Sequence, residues 1–191
     1  MANTINTMSK LWILDTTDLI SATPICIRKV QMIATAAADV GTFYSLAGSV
    51  AADHDNYFTN LNFDSNTYTI TDAATGNKWT NIAANDWVHI TDCEIAANNG
   101  WWYLEADGGN STFDVEYTSV IGGSTHALTA GDGKYARIRT YTPEICMKII
   151  GDNVTTLVHP TLDWGDKGRW FDNLSYLEGS SDTHEIYLYI K

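Results

Sequence analysis

The chain has 191 residues, a formal net charge of −12, 45% apolar residues and only 18% charged ones. That length fits one domain or two small ones, and that apolar fraction is enough to build a core, which argues against a disordered chain. The densest basic stretch is Lys134-Tyr135-Ala136-Arg137-Ile138-Arg139, and an acidic chain without a longer basic stripe is not expected to bind DNA, RNA or an anionic membrane directly.

The polar surface must rest largely on uncharged residues. The 24 Thr favour strands and the 14 Asn favour turns. From the N-terminus, residues 1–10 are polar, and Leu11-Trp12-Ile13-Leu14 is too short for a signal-peptide core. No later stretch approaches the length of a transmembrane span. The expected place of synthesis is therefore the cytoplasm of the producing cell. Asp15-Thr16-Thr17-Asp18-Leu19-Ile20 could cap a single helical turn. Residues 24–33 alternate as a strand, but the phase slips at Arg28-Lys29, which predicts a bulge. Residues 34–40 contain alanines without a sustained 3.6 period, so no convincing helix is expected.

The middle of the chain reads as a hairpin array. Strands are expected at 67–71, 87–91, 100–105, 112–119 and 134–141, separated by Gly- and Asn-rich turns. Asn98 and Asn99 precede Gly100, and these residue types tolerate the positive backbone angle of a tight turn. Phe113, Val115 and Tyr117 alternate with Asp114 and Glu116, the period of a half-buried strand. Further on, Ile145, Met147 and Ile149 are expected on one strand face, with Cys146, Lys148 and Ile150 on the other. Ile186-Tyr187-Leu188-Tyr189-Ile190 reads as a last strand covered on both faces.

Charge divides the chain into two zones. Residues 1–50 and 141–191 carry 11 acids and 7 bases, whereas 51–140 carry 12 acids and 4 bases. The expected architecture is all-β: an outer β-barrel or sandwich domain, residues 1–50 and 141–191, with an N-terminal arm. A second small β-barrel or Ig-like sandwich module, residues 51–140, is inserted in it.

Catalytic and metal chemistry find little foothold. His54, His89, His126, His159 and His184 are scattered, with no H-x-H or H-E-x-x-H spacing. No G-x-S-x-G elbow occurs. Cys26, Cys93 and Cys146 are odd in number and far apart, so buried free thiols are expected rather than a zinc site or disulfide framework. Residues 53–64 begin like a calcium loop but lack its central Gly and its final Glu. The Asp107-Gly108-Gly109-Asn110 turn is read as a bare turn. No catalytic residue, metal or cofactor is therefore expected. Adjacent Trp101 and Trp102 must point to opposite faces of a strand. One can be core, and the other can anchor a partner or stack on sugar, which keeps a carbohydrate-binding β module as a rival reading.

The cassette Asp86-Trp87-Val88, a short strand, Ala97-Asn98-Asn99-Gly100, the aromatic strand Trp101-Trp102-Tyr103-Leu104 and the strand from Thr112 resembles a β module in structural proteins of tailed bacteriophages. The run Ala2-Asn3-Thr4-Ile5-Asn6-Thr7-Met8-Ser9-Lys10-Leu11-Trp12-Ile13-Leu14-Asp15-Thr16 resembles the start of small proteins from phage structural modules. Gly168-Arg169-Trp170-Phe171-Asp172-Asn173-Leu174-Ser175-Tyr176-Leu177, with the closing Glu185-Ile186-Tyr187-Leu188-Tyr189-Ile190, is similar to their ending.

The resemblance implies a capsid decoration (cement) protein on the virion head surface, made in the host bacterial cytoplasm. Such a protein binds the outside of the head shell and clamps neighbouring major capsid subunits, alone or as a trimer or other homo-oligomer. It implies adhesion rather than turnover, hence no enzyme. On this reading Ile5, Met8, Leu11 and Trp12 are arm contacts, laid across a neighbour by strand addition, and Trp102 and Tyr103 are further candidates as exposed aromatics. A tail tube or terminator protein is the alternative within the virion. A host-surface glycan is a further conceivable partner for the inserted module.

Overall fold

The computed structural model describes residues 4–6, 10–14, 18–34, 39–46, 55–73, 83–107, 112–117, 127–151, 160–177 and 184–191. The strands run β1 (Thr4–Asn6), β2 (Leu11–Leu14), β3 (Asp18–Ser21), β4 (Ile25–Ile33), β5 (Val40–Ser45), β6 (Asp55–Asp64), β7 (Thr69–Asp72) and β8 (Trp87–Thr91). They continue as β9 (Gly100–Asp107), β10 (Thr112–Tyr117), β11 (Gly131–Tyr141), β12 (Glu144–Ile150), β13 (Thr161–Asp163), β14 (Arg169–Phe171), β15 (Leu174–Leu177) and β16 (Glu185–Ile190). Helical structure among the described residues is confined to two 3-10 turns, Ala96–Asn98 and Gly165–Lys167. The protein is all-β.

The chain forms two compact units. One comprises residues 1–46, 120–123 and 144–191, and the other 47–119 and 124–143.

The first unit holds two antiparallel sheets. One has the order β1-β2-β16-β4, and β13 and β14 share the remaining edge of β4; the other has the order β12-β5-β15-β3. Ile27, Val30 and Met32 from β4, Ile186 and Leu188 from β16, Phe43 from β5, Met147 and Ile149 from β12 and Tyr176 from β15 meet in one core. Both sheets thus bury one face against the other, as a sandwich does. Phe43 and Tyr176 rings lie 5.4 Å apart across neighbouring strands.

Local detail follows side-chain demand. Tyr189 pairs with Lys29 and Ile190 with Ile27, so Arg28 is the extra residue of a bulge, at the predicted phase slip. On β12 the expectation for Ile145 is corrected. Ile145 pairs with Tyr44 and Met147 with Phe43, which makes Cys146 a bulge residue. One inserted residue reverses the alternation. Ile145 therefore lies 56% exposed while Met147 and Ile149 enter the core. Asp18–Ser21, part of a predicted helical cap, is strand β3. The last strand buries Ile186 and Leu188, and Tyr187 and Tyr189 on its other face stay partly exposed. Residues 35–38 lie outside the described residues.

The second unit is a closed antiparallel barrel, order β10-β7-β6-β11-β8-β9. Its interior is filled by Phe58, Leu61 and Phe63 of β6, Ile70 of β7, Val88 and Ile90 of β8, Trp102 and Leu104 of β9, Phe113 and Val115 of β10, and Ala136 and Ile138 of β11. Six strands leave room for side chains and for no channel. The 53–64 segment, weighed as a calcium loop, is largely strand: ten residues form β6. Its inward phase slips where Lys134 pairs with Leu61 and Ala136 with Phe58, so Thr59 and Asn60 oppose Tyr135 alone.

The turn before β9 is more than a reversal. Gly100 takes φ 144°, but Asn98 is fully buried. Its amide nitrogen donates to the Thr129 carbonyl (2.9 Å) and its side-chain oxygen accepts from the Thr129 N–H (2.8 Å). Its main-chain carbonyl accepts from the Trp102 indole at 3.0 Å. A single Asn thus ties the 3-10 turn, the chain before β11 and the barrel core together.

Candidate functional site

Two outward faces, one in each unit, gather residue types that recognise ligands. The first is the outer face of the β1-β2-β16-β4 sheet. Residues paired across an antiparallel ladder share a face. Leu11 pairs with Tyr189, Tyr189 with Lys29, and Lys29 with Asp163. Ile13, Tyr187, Gln31 and Thr161 form the adjacent row. The opposite parity, with Leu14, Ile186 and Met32, is core, so these two rows face outward and are partly exposed. Lys29 Nζ sits 5.0 Å from the Tyr189 ring centre, and the Tyr187 hydroxyl donates to Glu185 at 2.7 Å. Trp170 of β14 pairs with Cys26 on the same face and is 67% exposed.

The predicted arm residues divide. Thr4–Asn6 folds back on Leu11–Ile13 of its own chain, with Ile5 paired to Trp12, so this segment is an edge strand rather than a free arm across a neighbour. Leu11 lies on the outer face. Trp12 packs on the sandwich core and is structural, because its strand parity is that of Leu14. Met8 lies outside the described residues.

The second face is on the barrel. Trp102 and Tyr103 are corrected as exposed anchors. Trp102 is fully buried inside the barrel; Tyr103, on the other face of β9, is also buried, its ring tilted against Trp87 with centres 5.4 Å apart and its hydroxyl donating to Asn85 Oδ1 at 2.5 Å. The outward member of the tryptophan pair is the half-buried Trp101, since only one of two adjacent residues can enter the core. Trp101 stacks on His89 with centroids 4.5 Å apart and planes 10° from parallel, and meets Tyr141 at 4.8 Å. His89 pairs with Arg139, and Arg139 with Asp55, giving one row across four strands: Trp101, His89, Arg139, Asp55.

Asp55 binds both arginines of this face. It accepts two 2.7 Å bonds from Arg137, at Nε and Nη2, and a 3.0 Å bond from Arg139 Nε. The Arg137 hydrogen bond, then that of Arg139, hold its carboxyl below the usual range. Arg137 also lies 5.3 Å from the Tyr57 ring centre. Burial, and then the charge of Arg139, lower the His89 pKa and keep the imidazole neutral near pH 7. Along β11 the inward residues are Ala136, Ile138 and Thr140, so Tyr135, Arg137, Arg139 and Tyr141 point outward. The sequence signal for this face is that alternation, Tyr-x-Arg-x-Arg-x-Tyr, which is visible once the strand is placed.

Nearby, Glu105 and Glu116 share a hydrogen bond, and burial, then the charge of Glu105, raise the Glu116 pKa. A carboxyl whose folded pKa is raised contributes stability below its unfolded pKa and loses it as pH rises through the folded value. Glu116→Gln is therefore expected to stabilise the barrel at pH 7, by about 0.5 kcal/mol once solvent screening is allowed for, and to be neutral below pH ~4. Thermal unfolding at both pH values reads this directly; a destabilised variant at pH 7 would contradict it.

Among the described residues no group of three or more His, Cys, Asp or Glu side chains is placed to hold a metal ion. Cys26 and Cys93 are buried free thiols and Cys146 is partly exposed; burial pushes the Cys146 thiol up to about 11. No described helix is long and apolar enough to cross a membrane. Comparison with protein-family models, curated proteins and solved structures finds no match for this chain.

Proposed function

We propose that the chain is an adhesive structural protein of a tailed-phage virion, which binds the outer surface of the head and stabilises contacts between major capsid subunits. The observation that carries this reading is the outer face of the β1-β2-β16-β4 sheet. It displays Trp170, Tyr187, Tyr189, Leu11 and Ile13 at its surface, while its other face is core. Trp and Tyr dominate the binding energy of protein interfaces, and a sheet face presents them on a rigid support. The residues that build this face come from the two chain ends that resemble phage virion proteins. A ligand that binds only the mature lattice stabilises it by mass action, so many copies with modest affinity suffice.

The test mixes the purified chain with undecorated heads of the phage that encodes it, followed by sedimentation and cryo-microscopy. Regular density on the outer shell, lost or weakened at least about tenfold by Trp170→Ala, is the expected result. Trp170 is suited to this test because its exposure makes truncation cheap for folding. Removing residues 1–12 is not, because it deletes β1 and strips Trp12 from the core. Rings in solution, or density on tails with bare heads, would replace this reading by that of a tail component.

A further inference from the structure

We propose that the outer stripe of the barrel, centred on β11, is a binding site for an acidic oligosaccharide, with a sugar carboxylate on Arg139 and pyranose rings against Trp101 and Tyr141. The proposal goes beyond head binding and does not depend on it, since every residue of the site belongs to the barrel unit.

Arg139 is the natural anion partner. Its side chain is 40% exposed, and its one hydrogen bond among the described residues is made through Nε to Asp55. The two Nη atoms make no hydrogen bond among the described residues, and they form the planar fork that matches a carboxylate. Asp55 orients this fork but is itself held by Arg137 through both oxygens. Two guanidinium groups around one carboxylate put a local excess of one positive charge on Arg137, Arg139 and Asp55, with the carboxylate of Asp92 beyond it, accepting from the Tyr57 hydroxyl at 3.4 Å. In a chain of net charge −12 this is a local exception, and charges elsewhere are screened over ~8 Å at physiological ionic strength.

The aromatic groups define what surrounds the anion. Trp101 and Arg139 sit two strand spacings apart, about 10 Å, with His89 between them. Tyr141 adjoins Trp101, and Tyr57 and Tyr135, 58% and 52% exposed, flank the arginines on the other side. The rings pack on one another, Trp101 against His89 and Tyr141, and Tyr57 against Arg137, so the site is a rigid aromatic cluster with ring edges, hydroxyls and an imidazole at its surface, able to meet the C–H faces and hydroxyls of sugar rings. His89, kept neutral, can both donate and accept.

Charge selects among ligands. A neutral sugar would bring no anion to the Nη side of Arg139, which keeps only its Nε bond to Asp55 among the described residues. A single-stranded nucleic acid would also stack on these rings, but it presents a phosphate at each nucleotide, and proteins that hold it line a groove with many cations. The single Arg139 fork fits one carboxylate in a short oligosaccharide.

The test titrates the full chain with oligogalacturonate, hyaluronan oligosaccharides and oligosialate. Neutral cello-oligosaccharides and oligothymidylate serve as comparisons, and tryptophan fluorescence and calorimetry are the readouts. At least one acidic oligosaccharide is expected to bind at least about tenfold more tightly than the neutral ones. Arg139→Gln is expected to lose that preference, Arg139→Lys to keep part of it, because the charge remains and the fork does not, and Trp101→Leu to weaken all sugar binding. Trp170→Ala, in the other unit, is expected to change nothing. Circular dichroism and melting curves establish that each variant is folded; Arg139→Gln leaves the Arg137–Asp55 pair in place. Equal affinity for acidic and neutral sugars, an unchanged Arg139→Gln, tighter binding of oligothymidylate, or no binding by any acidic member of the panel would each overturn the proposal.

Discussion

Trp102→Ala is expected to destabilise the barrel by about 3–5 kcal/mol, the cost of emptying an aromatic-sized volume in a packed core. Trp102 is fully buried among Val88, Ile90, Leu104 and Val115, and a six-stranded barrel cannot collapse to refill the space without breaking its register. The truncation also strips the indole N–H from the Asn98 carbonyl, which is buried beside the Thr129 clamp. A typical domain is stable by only ~5–15 kcal/mol, so this single change takes a large fraction of that margin. Trp102→Phe separates the two contributions. It keeps most of the volume and loses the hydrogen bond, for a cost of about 1–3 kcal/mol. Urea unfolding of both variants measures this, and a loss below 1 kcal/mol for the alanine variant would mean that the barrel interior is not packed as described. Any loss of ligand binding in Trp102→Ala is then a folding loss, which is why binding has to be tested through Trp101 and Trp170.

Gly168→Ala is expected to cost about 3 kcal/mol in the other unit, for two separable reasons. The residue adopts φ 67°, ψ −178°, a backbone region open in practice to glycine alone. A Cβ there would also stand 2.6 Å from Cys26 Sγ and 3.0 Å from the Ile27 carbonyl oxygen. The sulfur can be removed and the backbone cannot. The double variant Cys26→Ala with Gly168→Ala should recover the part due to the sulfur contact and retain the part due to the backbone. Full recovery would assign the whole effect to packing; none would assign it to conformation. Because Gly168 leads directly into β14, the variant should also weaken the proposed head binding in parallel with Trp170→Ala, at temperatures where the rest of the sandwich still holds.

The class of fold was legible because the strand signal is local. The alternation around Trp87–Thr91 gives that strand its observed bounds, and the slip at Arg28-Lys29 is the bulge in β4. Elsewhere the signal is not local. Strand β6 carries no clear local signal, because Asn, Asp and Thr dominate it and its three inward residues, Phe58, Leu61 and Phe63, change phase at a bulge. Simple alternation puts Ile145 on the wrong face for the same reason, one residue inserted at Cys146. The sites were less legible still. Which of Trp101 and Trp102 enters the core depends on the direction in which the barrel closes, and alternation fixes only that they differ. Trp170 lies within the run that carries the resemblance, yet its exposure follows from β14 pairing with the outer edge of β4. The gathering of Arg137 and Arg139 on Asp55 joins residues more than 80 positions apart, and no local reading could bring them together.

The closed ring of strands in the barrel has a consequence for how this protein can change over time. A ring holds its register through its interior and its hydrogen-bonded ladder, so the residues it turns outward contribute little to specifying it. Tyr135, Arg137, Arg139 and Tyr141 can be exchanged one by one while Ala136 and Ile138, the residues between them, hold the strand in place. Recognition and folding are thus written on alternate letters of the same strand. A lineage under pressure to meet new surface chemistry can revise the one set without touching the other, and β11 is where such variation between relatives would be found.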